Sequence, residues 1–294
     1  MAKIDIYAQV TERVLEMMET HGSDWINPFS RKGQGGQPRN IASKKAYRGI
    51  NIILLGWSGH TSATWGTYKQ WVERKCQVRK GEKSTQILFW QFFKKKDEAG
   101  NEVSIPMLRT YFVFNADQVD GDIAEAIQSP ATNDDEGATE IVTAEDFFRH
   151  IPAAVTYSDV GKAYYSPSTD RVHIPNKGVF EATPTSTASE CFYSTLAHEL
   201  VHWTGHKSRL DRDLANGFGT EDYAREELIA ELGAAFLCAA LDISASPRAD
   251  HAKYLNGWMK KLSDHKREFV SAASAATKAV DYLVNAAQPQ AMAA

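Results

Sequence analysis

The sequence predicts an α+β protein of two domains, the first mixed in secondary structure and the second mostly helical with a small sheet. The chain has 294 residues, which is long for a single hydrophobic core and sufficient for two. Its charge is unevenly divided: residues 1–120 hold 18 Lys and Arg against 12 Asp and Glu, whereas the remaining residues hold 15 against 25. Residues 129–140 are small, polar and acidic without apolar periodicity, which is typical of a linker. We therefore expect domains at residues 1–128 and 141–294.

The first half combines helical and strand-like segments. An amphipathic helix is expected over about Ile4–Thr20, and a second helical stretch over residues 67–75. Two apolar, strand-like runs, residues 84–96 and 106–119, flank the turn-like residues 97–101. These runs predict a β-hairpin, which makes the first domain α+β.

The second half is mainly helical. A Thr-x-x-Asp cap opens a short helix at residues 143–152, and residues 163–175 are expected to form a hairpin or sheet edge that ends at Pro175. Three longer helical segments follow: Glu190–Thr204, Tyr223–Leu241, and about Ala249–Asn285 with a break near Ser263 and Asp264.

Composition excludes several classes of protein. Apolar residues make up 43% and charged residues 24% of the chain, as in ordinary globular proteins. The N-terminus lacks the apolar core of a secretory signal, and no segment approaches the roughly 18 apolar residues of a membrane span. The three cysteines, Cys76, Cys191 and Cys238, are far apart and odd in number. A disulfide framework and a cysteine zinc finger are therefore not expected. We expect instead a cytoplasmic protein without a membrane partner.

A histidine pair in the second half predicts a metal site. His198 and His202 stand four residues apart in a helical segment, so both imidazoles lie on one face and can bind one ion. Glu199, a third of a turn away, can act as a general base without being a ligand. Zinc in such sites lowers the pKa of bound water to roughly 7, and a neighbouring carboxylate can then accept the proton. Mn²⁺ or Co²⁺ could substitute for Zn²⁺.

The third ligand is expected from the next helix. Zincins of the two-His-plus-Glu type carry Glu-x-x-x-(Asp/Glu) there, with the first carboxylate on the metal and the second orienting a ligand histidine. Glu227 and Glu231 have this spacing. Glu226 and Asp222 remain alternatives as ligand, whereas His206 is expected to turn away because a glycine precedes it.

Two further features of a peptidase have candidates. Asp170–Pro175 is the best candidate for an edge strand that binds an extended substrate, because proline suits an edge. An oxyanion stabiliser could come from Tyr223, Tyr164, Tyr165 or His173, although each is more often structural.

The first half has the composition of a surface that binds single-stranded nucleic acid. The window Trp25–Lys96 holds 15 basic residues and two acidic ones, interleaved with aromatic residues. Cations bind phosphates and flat rings stack on unpaired bases, while no motif that reads duplex sequence is present. Any single aromatic is more often part of the core. The candidate contacts are Arg31, Lys32, Arg39, Lys44, Lys45, Tyr47, Arg48, Trp65, Arg79, Lys80 and Lys83.

Nearly the whole chain resembles ArdC-type antirestriction proteins. The resemblance implies a plasmid-encoded protein with a single-stranded DNA-binding domain and a zincin-like metallopeptidase domain, associated with protecting conjugating DNA from restriction. The resemblance also implies that His198, His202 and Glu227 are the metal ligands, because they match the family's metal-binding motif. The matching positions are Trp25, Pro28, Pro38, Asn40, Tyr47, Gly49, Asn51, Val78–Trp90, Tyr111–Val119, His198–Arg212 and Tyr223–Leu237.

Three functions fit these parts. In the first, a domain that binds single-stranded DNA delivers a peptidase to a protein substrate, such as a DNA-bound or restriction protein. In the second, the protein coats DNA or acts as a decoy, and the metal site is structural or vestigial. In the third, the peptidase acts on DNA–protein crosslinks.

Overall fold

The chain folds into two compact units, one of residues 33–130 and one of residues 1–32 with 131–294. The computed structural model describes residues 6–22, 37–96, 102–123, 144–159, 161–183, 186–214, 220–241, 243, 258–260, 262–265 and 267–287. The expected linker, residues 129–140, lies outside this described part. Within it, no helix has the length and apolar character needed to cross a membrane.

The unit of residues 33–130 contains a mixed four-stranded sheet in the order β1–β2–β5–β4. β1 and β2 are parallel, and the other pairs are antiparallel. β4 and β5 pair along their length, from Thr85 opposite Val113 to Lys96 opposite Glu102, which confirms the predicted hairpin. The bounds are β1 Arg39–Asn40, β2 Thr64–Gly66, β3 Gln77–Val78, β4 Thr85–Lys96, β5 Glu102–Asn115 and β6 Val119–Asp120. β3 and β6 form a separate two-stranded ladder.

Two short helices close this sheet unit, α2 (Ile50–Gly56) and α3 (Tyr68–Val72). The side chain of Asn51 joins α2 to β4, since it donates to the Leu88 carbonyl at 2.7 Å and accepts from the Leu88 N–H at 2.8 Å. Two apolar clusters form the core of the unit. One contains Tyr47, Leu55, Trp65, Ile87 and Val113, and the other Ile41, Trp71, Cys76, Val78, Ala116 and Val119.

The second unit has a three-stranded sheet in the order β7–β9–β8, with β7 Ala154–Ser158, β8 Tyr164–Ser166 and β9 Arg171–Pro175. The predicted hairpin is present, because β8 and β9 are antiparallel. The expectation that residues 170–175 form an edge strand is wrong. β9 is central, with β7 parallel on its other side, and Pro175 is tolerated because it is the last residue of the strand.

The described helices of this unit include α4 (residues 144–149), α5 (Ala188–Thr204), α6 (Glu221–Ala240) and α7 (Glu268–Ala286). Thr187 and Glu190 form a reciprocal capping box that starts α5, and the Thr220 side chain caps α6. The predicted helices Glu190–Thr204 and Tyr223–Leu241 are confirmed within a few residues, whereas residues 249–257 of the third predicted helix lie outside the described part of the chain. Residues 258–260 and 262–264 are helical and precede α7, and residue 265, next to the expected break at Ser263 and Asp264, is not helical.

The first helix, α1 (Ile6–His21), groups with the C-terminal unit and contacts α7. This placement differs from the predicted first domain of residues 1–128. The physical reason is one buried face of the helix: Thr11, Val14 and Met18 recur at helical spacing and are all buried. The sequence showed that α1 has a face to bury, but it did not show which unit buries it.

Candidate functional sites

Helices α5 and α6 bring three of the predicted metal-site residues together. The Nε2 atoms of His198 and His202 lie 3.1 Å apart. Oε2 of Glu227 lies 3.6 Å from Nε2 of His198, and its Oε1 lies 3.5 Å from Nε2 of His202. One donor atom from each residue falls within 4.8 Å of the others, and all three donors are shielded from bulk solvent.

The chemistry of this donor set suits a divalent metal ion. Two imidazole nitrogens and one carboxylate are the protein ligands of a common class of catalytic zinc site, which leaves a coordination position for substrate or water. The side chain of His198 is 2% exposed and that of Glu227 is 11% exposed. Three such groups converging in a buried space fit a cation better than they fit a hydrophobic core.

The outer nitrogen of each imidazole faces a carboxylate. Oε1 of Glu231 lies 2.8 Å from Nδ1 of His198, and Oε1 of Glu226 lies 3.1 Å from Nδ1 of His202. A carboxylate in this position fixes the tautomer and the ring orientation of a ligand histidine. Glu231 thus lies where the sequence placed it, whereas Glu226, considered as a rival ligand, faces the far side of His202.

Arg212 holds Glu226 in place, and this contact was missing from the sequence prediction. Its Nε donates to Oε2 of Glu226 at 2.9 Å and its Nη2 donates to Oε1 at 2.8 Å. The same guanidinium donates to Oγ1 of Thr204 at 2.9 Å and to the Val201 carbonyl at 2.7 Å. Arg212 belongs to the loop after α5, where no periodicity indicates a partner fourteen residues away.

These contacts set the protonation of the cluster. Burial alone would lower the pKa of His202, but its hydrogen bonds to Glu226 and Glu227 raise that pKa to about 10. Burial would raise the pKa of Glu227, yet both histidines hold it well below its usual range. The pKa of Glu226 is likewise lowered against the effect of burial, by His202 and Arg212. Because a metal ligand must be a neutral imidazole, metal binding here requires His202 to release its proton.

The remaining predicted residues of this unit have these positions. Glu199 is buried next to His198 on α5. Asp222 is exposed, and Nδ1 of His206 lies 2.8 Å from Oγ of Ser208. Among the described residues, the group that could hold a metal ion consists of His198, His202 and Glu227 and includes neither of these two. Tyr164 stacks on the His173 ring, with centroids 4.5 Å apart.

A second arginine in the same loop joins α5 to the β8–β9 hairpin. Nε of Arg209 donates to the Trp203 carbonyl at 2.6 Å, and its guanidinium lies 4.0 Å above the Trp203 ring. Its Nη1 donates to Oδ2 of Asp170 at 2.9 Å, and Asp170 accepts a 2.8 Å hydrogen bond from Tyr165. Tyr165 is therefore occupied in this network, which lowers the pKa of Asp170 to about 2, chiefly through the Arg209 hydrogen bonds.

Of the residues predicted to contact DNA, some are buried in the structure and others are exposed. Tyr47 and Trp65 are only 5% and 2% exposed, because their rings lie in the core of the sheet unit and leave no free face for a base. Their assignment to base stacking is therefore corrected. Arg31 and Lys32 lie outside the described residues. The exposed candidates are Arg39, Lys44, Lys45, Arg48, Arg79, Lys80 and Lys83.

Comparison with known proteins identifies the family of each half of the chain. Residues 142–275 match the family model of the zincin-like metallopeptidase, and residues 4–114 match that of the N-terminal domain of anti-restriction factor ArdC. The fold also matches the metal-free crystal structure of the antirestriction ArdC protein from plasmid R388. The TM-score is 0.75 and the identity 37%, over 97% of this chain and 98% of that one. The chain belongs to the ArdC family of antirestriction proteins.

Other relatives of this ArdC-family chain extend the comparison. The Mn(II)-bound structure of the R388 ArdC protein matches with a TM-score of 0.75 and 36% identity, over 98% of this chain and 100% of that one. Protein y4eC of Sinorhizobium fredii (strain NBRC 101917 / NGR234) is 36% identical over 95% of this chain and 91% of that protein. The DNA primase TraC of Escherichia coli is 35% identical over 98% of this chain. The chain spans only 28% of the length of that primase.

Proposed function

We propose that this chain is a zinc-dependent peptidase joined to a domain that binds single-stranded DNA without sequence preference, and that it protects incoming plasmid DNA from host restriction. The observation that carries the proposal is the buried convergence of His198, His202 and Glu227, with a carboxylate on the outer nitrogen of each imidazole. An accidental polar cluster has no reason to hold both rings in a ligand orientation.

Three residues would hold the metal: His198, His202 and Glu227. Two imidazoles and one carboxylate favour Zn²⁺, while Mn²⁺, which a relative binds, and Co²⁺ accept the same donors. When bound, the metal supplies Lewis acidity toward a scissile carbonyl and toward water.

Glu199 is the proposed general base and acid. Its carboxylate is buried on the same helix as the two histidines, so it can accept a proton from the attacking water and deliver it to the leaving amine. Glu231 and Glu226 act as positioning residues, since they touch the outer nitrogens of the imidazoles, and Arg212 holds Glu226 in place.

The edge strand β8 is the proposed substrate strand, in place of residues 170–175. Among the described strands, β8 pairs on one side only, with β9, and it contacts α5. The backbone groups of its other side can therefore pair with an extended peptide. This arrangement delivers a peptide next to the helix that carries His198 and Glu199.

The basic unit supplies the proposed DNA affinity. Of the few acidic residues near the basic window, Glu82 pairs with Arg79 at 3.0 Å, and Asp117 accepts the N–H groups of Thr61 and Ser62. The unit of residues 33–130 as a whole is net basic, with 14 Lys and Arg against nine Asp and Glu. The field of the unit is then dominated by exposed lysine and arginine, which attract phosphates.

The test is proteolysis of DNA-bound proteins by the zinc-loaded full chain. Host restriction endonuclease subunits are mixed with single-stranded DNA, and the products are identified by mass spectrometry. We expect cleavage by the wild type and by an Asp222→Asn control, and a loss of about 100-fold or more in Glu199→Gln. Failure of the wild type to cleave any such protein would favour the DNA-coating function, in which the metal site is structural.

A further inference from the structure

One face of the β4–β5 hairpin carries two aromatic rings in solvent. Phe89 and Tyr111 are each 43% exposed, and their ring centroids lie 5.6 Å apart at an interplanar angle of 84°. Phe89 is opposite Arg109 in the strand register, and Tyr111 is opposite Ile87. Since side chains alternate between the faces of a sheet, all four residues lie on the same face.

This face changes from core to surface along the hairpin. Ile87 is 2% exposed and packs in the cluster with Tyr47 and Trp65. Two residues further along β4, Phe89 still contacts Tyr47, with ring centroids 6.4 Å apart, but the core cluster no longer covers it. Phe89 thus rests on Tyr47, Tyr111 rests on Phe89, and both rings keep a solvent-exposed part that an unpaired base could stack on.

The surroundings of these rings are cationic. Arg109 stands opposite Phe89 and is exposed. Tyr47, which supports Phe89, is followed directly by the exposed Arg48, and the exposed Lys44 and Lys45 form the turn before it. The window of residues 25–96 holds 15 basic residues against two acidic ones. Aromatic faces beside guanidinium and ammonium groups complement a strand of unpaired bases and phosphates.

We propose that Phe89 and Tyr111 are the base-stacking platform of the sheet unit, with Lys44, Lys45, Arg48 and Arg109 contacting the adjoining phosphates. This inference rests on the proposed binding of single-stranded DNA. Phe89 and Tyr111 thereby take the stacking role that the sequence analysis gave to Tyr47 and Trp65, which lie in the core. The cationic surroundings favour a nucleic acid over an apolar protein surface as the occupant of this face.

The test compares two probes on the full chain, a fluorescently labelled oligothymidine and an abasic oligonucleotide of the same length. Phe89→Leu and Tyr111→Leu keep the apolar bulk but remove the flat ring. Each should weaken oligothymidine binding about tenfold, because one base loses its stacking partner. Affinity for the abasic strand and the salt dependence of binding should stay unchanged, because the phosphate contacts remain.

Phe112→Leu is the matched control. Phe112 is adjacent to Tyr111 and 57% exposed, but it points to the opposite face of the hairpin. Its variant should bind both probes as the wild type does. Phe89→Tyr and Tyr111→Phe retain a ring and should also bind normally, which separates stacking from an effect on folding.

Three outcomes would overturn the platform. In the first, the wild type binds oligothymidine and both leucine variants bind it equally well, which leaves the DNA-binding function intact. In the second, the leucine variants lose self-association in sedimentation experiments and keep DNA binding, which marks a protein interface. In the third, the wild type binds neither probe, which overturns the proposed DNA binding and the platform together.

Discussion

The two units of this chain handle charge in opposite ways. In the C-terminal unit, Glu226, Glu227 and Glu231 are buried, and each faces an imidazole nitrogen at 2.8 to 3.6 Å. In the unit of residues 33–130, the lysine and arginine side chains proposed to bind DNA lie in solvent. One unit concentrates charge in a shielded site, and the other spreads it over a surface.

This difference determines how each unit should respond to substitution. A buried charge without its partner costs several kcal/mol, so the proposed metal centre should depend on every member of the cluster. Exposed cations act roughly additively through counterion release and are screened by salt. Single substitutions in the buried cluster should therefore abolish the activity of the C-terminal unit, whereas single substitutions on the basic surface should only weaken DNA binding by residues 33–130.

The largest expected effect is at the third ligand. Glu227→Gln removes the carboxylate that faces both imidazoles, and we expect the affinity for Zn²⁺ to fall more than about 100-fold, beyond the loss seen for outer contacts. Competition with a chromophoric chelator measures this affinity. Asp222→Asn, an exposed carboxylate at the start of the same helix, should leave it unchanged. Unchanged binding in Glu227→Gln would assign the third ligand to another residue.

A smaller loss is expected at the positioning pair. Glu226→Gln or Arg212→Met should lower Zn²⁺ affinity about 10- to 100-fold, because His202 loses the contact that orients its ring. Arg225→Met is the matched control, since that arginine pairs with Glu268 on α7 instead. If Arg225→Met lowers the affinity as much as Arg212→Met, the effect is general destabilisation and the positioning role fails.

The residues of the metal centre could be foreseen where helical spacing controls them. His198 with His202, and Glu227 with Glu231, are four residues apart, and this spacing places each pair on one face of α5 or α6. The Glu226–Arg212 contact lay beyond such reasoning because a loop of irregular geometry brings the arginine back to α6. The central position of β9 was missed for a similar reason, since strand order depends on pairing with the distant β7.

In the sheet unit, too, the sequence did not show which residues pack against one another in space. Alternation along β4 and β5 predicts two faces, but burial of each face depends on what packs against it. Tyr47 and Trp65 are covered by the core cluster, while Phe89 and Tyr111 extend past it. Composition alone therefore indicated a basic, aromatic surface without identifying the aromatic residues that reach solvent.

Close packing of α5 against α6 should make the protein sensitive to added volume at their contact. A Cβ at Gly233 would lie 2.7 Å from Cγ2 of Val201, so Gly233→Ala should lower the free energy of unfolding by about 1–3 kcal/mol. Urea unfolding measures this loss. Gly178→Ala, where a Cβ would meet nothing within 4 Å, is the control. Combining Gly233→Ala with Val201→Ala should recover part of the loss, and a strictly additive pair would contradict the steric explanation.

The smallest expected effect lies on the basic surface. Lys80→Ala removes one exposed cation, so the slope of log K against log salt for single-stranded DNA should decrease by about 0.7, with a loss of a few-fold in affinity. Lys278→Ala, in the other unit, should leave both quantities unchanged. A collapse of binding in Lys80→Ala would show that the surface depends on one key cation rather than on many additive ones.

The most direct test of the central claim is protection of transferred plasmid DNA in a restricting host, comparing the wild type with Glu199→Gln at equal expression. Both proteins should bind Zn²⁺ and single-stranded DNA equally, because Glu199 is the proposed proton carrier and not a ligand. We predict that only the wild type protects the DNA. Equal protection by Glu199→Gln would contradict this account and assign the antirestriction effect to the DNA-binding unit alone.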